Sequence, residues 1–250
     1  MKRYAHSSVA WSGMTRQILA LIADGGVRRV LEVGGGANPL LSLAVVEQHG
    51  LEYTVLDIAQ TELDKALGGY VKVLGDIGDP ALDVPGGYDL VFSRMLAEHV
   101  RSGEVFHRNV LRLLAPGGRA FHFFPTLYAP PFVLNRLLPE RLAHALLNLL
   151  EPGRQQDGRH AKFPAHYSWC RGPTDRHIRR IEGLGYHVDE YIGFFGHDVY
   201  YRHVPVVRGW HRLWSNWLVA HPLPWLTSFA YLTLSRPISA PTRAPANADV

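Results

Sequence analysis

Three acids, a run of glycines and a set of late histidines are the residues that could do chemistry. In VLEVGGGANP, residues 30–39, an apolar run ends at Glu32 and Val33, and Gly34, Gly35 and Gly36 follow. Residues without side chains let a backbone turn come close to a ligand. Asp57 stands at the end of the next apolar run, YTVLDI, and Asp76 near the end of YVKVLGDI. A carboxylate at such a strand end can accept hydrogen bonds from the hydroxyls of a ribose. The chain has 14 histidines, and many lie beyond the glycine-rich region. Imidazole suits proton removal near neutral pH. His99 follows YDLVFSRM; His160, His166, Tyr167 and Arg171 sit in a later polar segment; His197 follows YIGFF. Each has a plain alternative role: capping a helix, facing solvent, or packing one segment on another.

Three ligands compete for the glycine turn. A triphosphate loop needs a lysine and a hydroxyl after its last glycine, and neither is present. A dinucleotide fingerprint has a third glycine, and that place falls on Pro39. S-adenosylmethionine carries a ribose and an adenine but no phosphate. It needs glycines beside its methionine part, an acid such as Glu32 near its ammonium group, and an acid such as Asp57 for its ribose. An NAD site uses an acid at a similar place, so Asp57 fits both.

The elements that must position these groups alternate. Apolar strands are expected at 28–33, 53–58, 70–77, 88–95 and 119–126. Helices are expected at 12–24, 38–49, 61–67 and 104–114. Short connections between alternating strands and helices imply a parallel sheet covered on both faces. Such sheets bind ligands at the carboxyl ends of their strands. After 126 the rhythm changes. A leucine-rich helix (Leu134, Leu137, Leu138, Leu142, Leu146 and Leu149) precedes the polar segment, and a helix at 174–184 and a strand at 186–195 resume the pattern. A tryptophan-rich helix at 208–220, a strand at 228–235 and a Pro/Ala-rich tail complete the chain.

Taken in order, VLEVGGGANP, VLDI, LGDI, YDLVFSRMLAEHV and LRLLAPGGRAFHFFP make the chain similar to the class I S-adenosylmethionine-dependent methyltransferases of the small-molecule type. The resemblance covers residues 28–126. It implies an α/β, Rossmann-like, seven-stranded, mostly parallel sheet with a reversed last strand and helices on both faces. A mainly helical cap is expected after the fifth strand. The domain would span 1–236, with its core at 28–126 and 173–236, a cap at 127–172, and a disordered tail at 237–250. It implies S-adenosyl-L-methionine as cofactor, held by Glu32, Gly34, Gly35, Gly36, Asp57 and Ile58. Asp76 would meet the adenine amino group and Ile77 its ring, with Ser93 and Arg94 at the next strand end. Asp76 could instead simply open the turn that follows it.

The fourth strand narrows the acceptor by exclusion. Phe92-Ser93-Arg94-Met95 is neither the Asp/Asn-Pro-Pro-aromatic stretch of base and amide methyltransferases nor a Pro-Cys nucleophile. It also lacks the carboxylate that metal-dependent catechol-type enzymes place there. The expectation is metal-independent transfer to a small molecule, most simply to a hydroxyl, with His99, His160, His166 or His197 as base and Tyr167 and Arg171 nearby. The alternatives are an N- or C-methyltransferase, an NAD-dependent dehydrogenase and a non-catalytic methyltransferase-like binding protein.

Composition fits this reading. There are 26 Lys and Arg against 22 Asp and Glu, a formal charge of +4, without a dense basic block, so no nucleic-acid partner is expected. One cysteine, Cys170, favours a cytoplasmic setting. The helix at 208–220, with Trp210, Trp214 and Trp217, would suit an apolar substrate lid, a peripheral membrane contact or a homodimer interface.

Overall fold

The computed structural model describes residues 1–24, 26–127, 164–197 and 205–238 of the 250-residue chain. The leucine-rich stretch and His160 lie outside the described residues, as do residues 239–250 of the expected tail. Of the expected cap, 127 and 164–172 are described.

Eight strands form one sheet: β1 (Lys2–His6), β2 (Arg29–Val33), β3 (Glu52–Asp57), β4 (Val71–Leu74), β5 (Tyr88–Arg94), β6 (Leu114–Pro125), β7 (His187–Phe195) and β8 (Phe229–Ser235). Their order is β1-β7-β8-β6-β5-β2-β3-β4. The helices among the described residues are α1 (Ala10–Asp24), α2 (Leu43–Gln48), α3 (Gln60–Lys65), α4 (Gly103–Leu113), α5 (Asp175–Glu182) and α6 (Pro205–Ala220). Strand β8 runs antiparallel to both neighbours, β6 and β7, which is the expected reversed last strand. The other pairings are parallel.

The expected count of seven strands is corrected to eight by β1. KRYAH has no apolar run to betray it. It pairs through its backbone, from Lys2 opposite Tyr191 to His6 opposite Phe195. Its charges are matched by partners, Lys2 on Asp175 and Arg3 on Glu190, and such charges suit the edge of a sheet.

Two apolar cores fill the faces. Strand alternation sends Val30, Leu90 and Phe92 to one, with Met14, Ile18 and Ile22 of α1. Leu31 and Val91 go to the other, with Phe106, Val110 and Leu113 of α4. Helix α2 is shorter than its apolar spacing suggests. Pro39 disfavours helical backbone at Asn38, and the N-cap falls at Ser42, whose side chain accepts from Val45 N. Residues 38–42 are thereby left to the turn after β2. The parallel strands β2, β3, β4, β5 and β6 bring their carboxyl ends to one edge, where the candidate groups gather.

Candidate active site

At the end of β2 the chain turns on Gly34 and Gly36, with φ of +78° and +42°. L-residues with side chains rarely adopt such backbone. Gly34 N donates to Leu56 O at 2.7 Å and Asn38 N to Gly35 O at 3.0 Å, so the turn is tied to β3 and closed on itself. A Cβ at Gly34 would strike the Leu96 side chain; one at Gly36 would lie 3.0 Å from Asp57 Oδ2. The glycines therefore make a cradle between the ends of β3 and β5.

Glu32 lies beneath this cradle rather than in its mouth. It is buried; its Oε2 accepts from Leu40 N at 2.9 Å and from the Tyr53 hydroxyl at 2.5 Å. Burial pushes its pKa up, and the two donors and the Arg94 charge oppose that. Asp57 is half-buried at the rim. Its Oδ1 accepts from Ala59 N at 2.9 Å. Burial raises its pKa, the Ala59 N–H lowers it and the neighbouring Glu62 raises it again. Ile58 is an exposed apolar side chain directly after Asp57. Asp76 is exposed, and its Oδ1 accepts from Gly78 N at 2.7 Å, so it does open a turn while remaining at the surface.

Two expected cofactor contacts offer little open surface. Ile77 places its side chain in the α4-side core, and Asn109 Nδ2 holds its carbonyl at 2.9 Å. Ser93 is buried, with Oγ 2.8 Å from His122 Nδ1. Strand alternation is the reason: Ser93 faces the interior of the sheet's α4 side. Arg94 is better placed, since its Nη2 donates to Asn38 O at 3.2 Å and ties the end of β5 to the glycine turn.

Past β5, Met95 takes φ of +50°, Leu96 packs on Gly34, and a single 3-10 turn covers Ala97–His99. The Glu98 carbonyl accepts from both His166 N at 2.7 Å and Tyr167 N at 2.9 Å. The structure thus brings His99, His166, Tyr167 and Arg171 into one neighbourhood. His99 Nδ1 lies 3.2 Å from Pro164 O. A carbonyl only accepts, so Nδ1 carries the hydrogen and Nε2 is the basic nitrogen of neutral His99. That Nε2 is 3.7 Å from Glu98 Oε1. His166 has an exposed side chain. Tyr167 packs against the core and has φ of +50°. Arg171 donates from Nη1 to Tyr167 O at 2.8 Å and to Cys170 O at 3.1 Å, bracing the segment from within.

His197 is not part of this group. It lies two residues past β7, is buried, and receives its backbone contact from α6, with His197 N donating to His211 Nε2 at 2.7 Å. Its ring meets Phe229 edge-on, and burial, with His211 beside it, pulls its pKa down to about 3.

The residue that motif reading passed over is Glu98. It is buried, Oε2 has no hydrogen-bond partner among the described residues, and burial pushes its pKa up to about 8. Three imidazoles are buried against residues of the α4-side core. His122 is held down to about 3 by burial, His177 to about 4 by burial and the Arg171 and Arg180 charges, and His107 well below its ordinary value by burial and the other two rings. Only adjacency to His99 could have flagged Glu98; its burial is a tertiary fact. Among the described residues no group of three or more His, Cys, Asp or Glu could hold a metal ion.

A family described as "Methyltransferase domain" matches residues 6–181. The fold is similar to phosphoethanolamine N-methyltransferase 2 of Haemonchus contortus, at 14% identity and TM-score 0.52, over 89% of this chain and 52% of that one. This chain therefore spans about half the length of the Haemonchus protein. It is also similar to an S-adenosylmethionine-dependent methyltransferase of Mesorhizobium loti, at 17% identity and TM-score 0.51, over 88% of this chain and 96% of that one. A third is from Archaeoglobus fulgidus, at 15% identity and TM-score 0.51, over 90% and 92%.

Proposed function

From the premise that the chain belongs to the methyltransferase-domain family, we propose that it moves a methyl group from S-adenosylmethionine to a hydroxyl of a small molecule, without a metal. The observation that carries this reading is the contact between the two strand ends. Leu96 seals Gly34, Arg94 reaches the Asn38 carbonyl, and three residues past Leu96 stands His99 with a basic Nε2.

The residues fit the cofactor. The backbone of Gly34, Gly35 and Gly36 lines its methionine part, Asp57 takes its ribose hydroxyls, and Ile58 and Asp76 meet the adenine. Glu32 holds the turn in shape from below. S-adenosylmethionine supplies an electrophilic methyl carbon on a sulfonium. The protein's work is alignment, exclusion of water and removal of one proton. His99 does the last. The Pro164 carbonyl fixes its tautomer, and Glu98 stands beside the nitrogen that gains the proton. Tyr167 and His166, hung from the Glu98 carbonyl, wall the acceptor side. Arg171 braces that wall.

The test is a transfer reaction with methyl-labelled cofactor and a panel of hydroxyl and amine acceptors, read by carbon NMR. Label on oxygen is expected, unchanged by EDTA. Label found on nitrogen or carbon alone would overturn the hydroxyl assignment.

A further inference from the structure

Helix α6 turns one face to the fold and an apolar face away from it. Ser215 and Leu218 are buried, and a Cβ at Gly196, just past β7, would lie 3.1 Å from Ser215 Oγ. His211 faces the same way, accepting from His197 N. The opposite face carries Val206, Trp210, Leu213, Trp214 and Trp217, which share one stripe at helical spacing. This stripe faces outward. Trp210 is 73% exposed, Leu213 67%, Trp214 48% and Trp217 46%. The rings of Trp214 and Trp217 stack at 5.1 Å, and His221 stacks on Trp217 at 5.0 Å. The catalytic reading does not use this surface, and a contiguous apolar patch of this kind marks a contact site.

Charge selects the occupant. Arg208 and Arg212, one turn apart and both exposed, lie on the side of the helix away from the stripe, and the sequence holds no Asp or Glu from Val199 to Ala248. A helix with tryptophans on one side, arginines on the other and no acid complements an anionic lipid surface: rings at the headgroup boundary, guanidinium groups on the polar side drawn by its negative potential. No helix among the described residues is long and apolar enough to cross a membrane, so the helix lies along the surface. We propose that α6 docks the protein on anionic bilayers through Trp210, Leu213, Trp214 and Trp217, with Arg208 and Arg212 on its polar side adding attraction to the negative surface. This goes beyond the methyl-transfer reading and does not depend on it.

The experiment is flotation of the full chain with phosphatidylcholine vesicles and with vesicles containing phosphatidylglycerol, at low and high salt. Sedimentation velocity without lipid runs alongside. The wild-type chain should float with the anionic vesicles, less so at high salt, and weakly with the neutral ones. Trp210→Ser, Trp214→Ser and Trp217→Ser combined should lose most of the bound fraction. Their exposed positions should leave circular dichroism and cofactor affinity unchanged, which excludes unfolding. Arg208→Glu with Arg212→Glu should abolish the preference for anionic lipid. The proposal is overturned if neither vesicle is bound, or if the triple variant floats like wild type. It is also overturned if the wild type sediments as a dimer that the triple variant splits while lipid binding is unchanged, because the stripe would then belong to a second copy.

Discussion

Glu32 lies near the end of β2 and Glu98 in the 3-10 turn that follows the neighbouring strand β5, and both are buried, at 1% and 3% exposure. Glu32 is engaged through its side chain: its Oε2 takes the Tyr53 hydroxyl and the Leu40 N–H. Glu98 holds its neighbours by its backbone carbonyl, while its Oε2 meets no partner among the described residues. The same contrast runs through the two regions. Around the glycine turn the polar groups are satisfied and the geometry is fixed by backbone bonds. Past β5 and in the α4-side core, Glu98 Oε2, His107 Nδ1, His122 Nε2 and His177 Nε2 are all buried without a partner among the described residues. Unmade buried hydrogen bonds are costly. The glycine turn is held by backbone and side-chain bonds. The region after β5 and the α4-side core hold buried polar groups without such partners, and burial favours their neutral forms.

The largest effect should separate the two regions functionally. His99→Ala should lower single-turnover rate by about 10²–10⁴-fold, the range for losing a general base. A rate within a few-fold of wild type would return the role to His166. Next comes stability. Glu32→Ala leaves two donors unpaired, each worth about 1–3 kcal/mol. Glu98→Ala strands no such pair of donors and should cost less, by denaturant unfolding; equal losses would erase the contrast.

A subtler effect lies in pH. Glu98 titrates at about 8 in the folded chain, against an ordinary 4.5. The native state then holds a proton that the unfolded state has lost, so stability falls as pH rises from about 4.5 to 8. Glu32, also raised, acts with the same sign. The buried histidines work oppositely. With folded values of about 3 for His122 and His197 and about 4 for His177, stability falls as pH drops below 6.5. Several histidines outweigh the acids below 6.5, and only the acids act above it. The melting temperature should therefore peak near pH 6.5, and Glu98→Gln should flatten its alkaline side. An unchanged alkaline slope in that variant would mean that Glu98 is ionised in the fold. The smallest effect is none: EDTA should leave turnover intact, and activity restored only by magnesium would contradict the metal-free reading.

Much of the frame was legible in the residues. Apolar runs ending in Glu32, Asp57 and Asp76 placed three strand ends, because buried parallel strands must be apolar until they leave the sheet. The glycines marked a turn because only they tolerate its backbone. What stayed hidden depends on distant partners. Strand β1 is polar and visible only through β7. Ser93 reads as a strand-end donor until His122 is found 2.8 Å away. His197, set among polar and aromatic residues, reads like His99 until α6 covers it.

Titration calorimetry with S-adenosylmethionine on three proteins tests the division most directly. Wild type and His99→Ala should bind with the same affinity, while Asp57→Ala should be weaker by about 1.5–3 kcal/mol, the range for a charged hydrogen bond. Asp57→Ala binding as wild type does, or His99→Ala losing as much affinity as Asp57→Ala, would contradict a cofactor seated on the β2–β3 edge with its base supplied separately from β5.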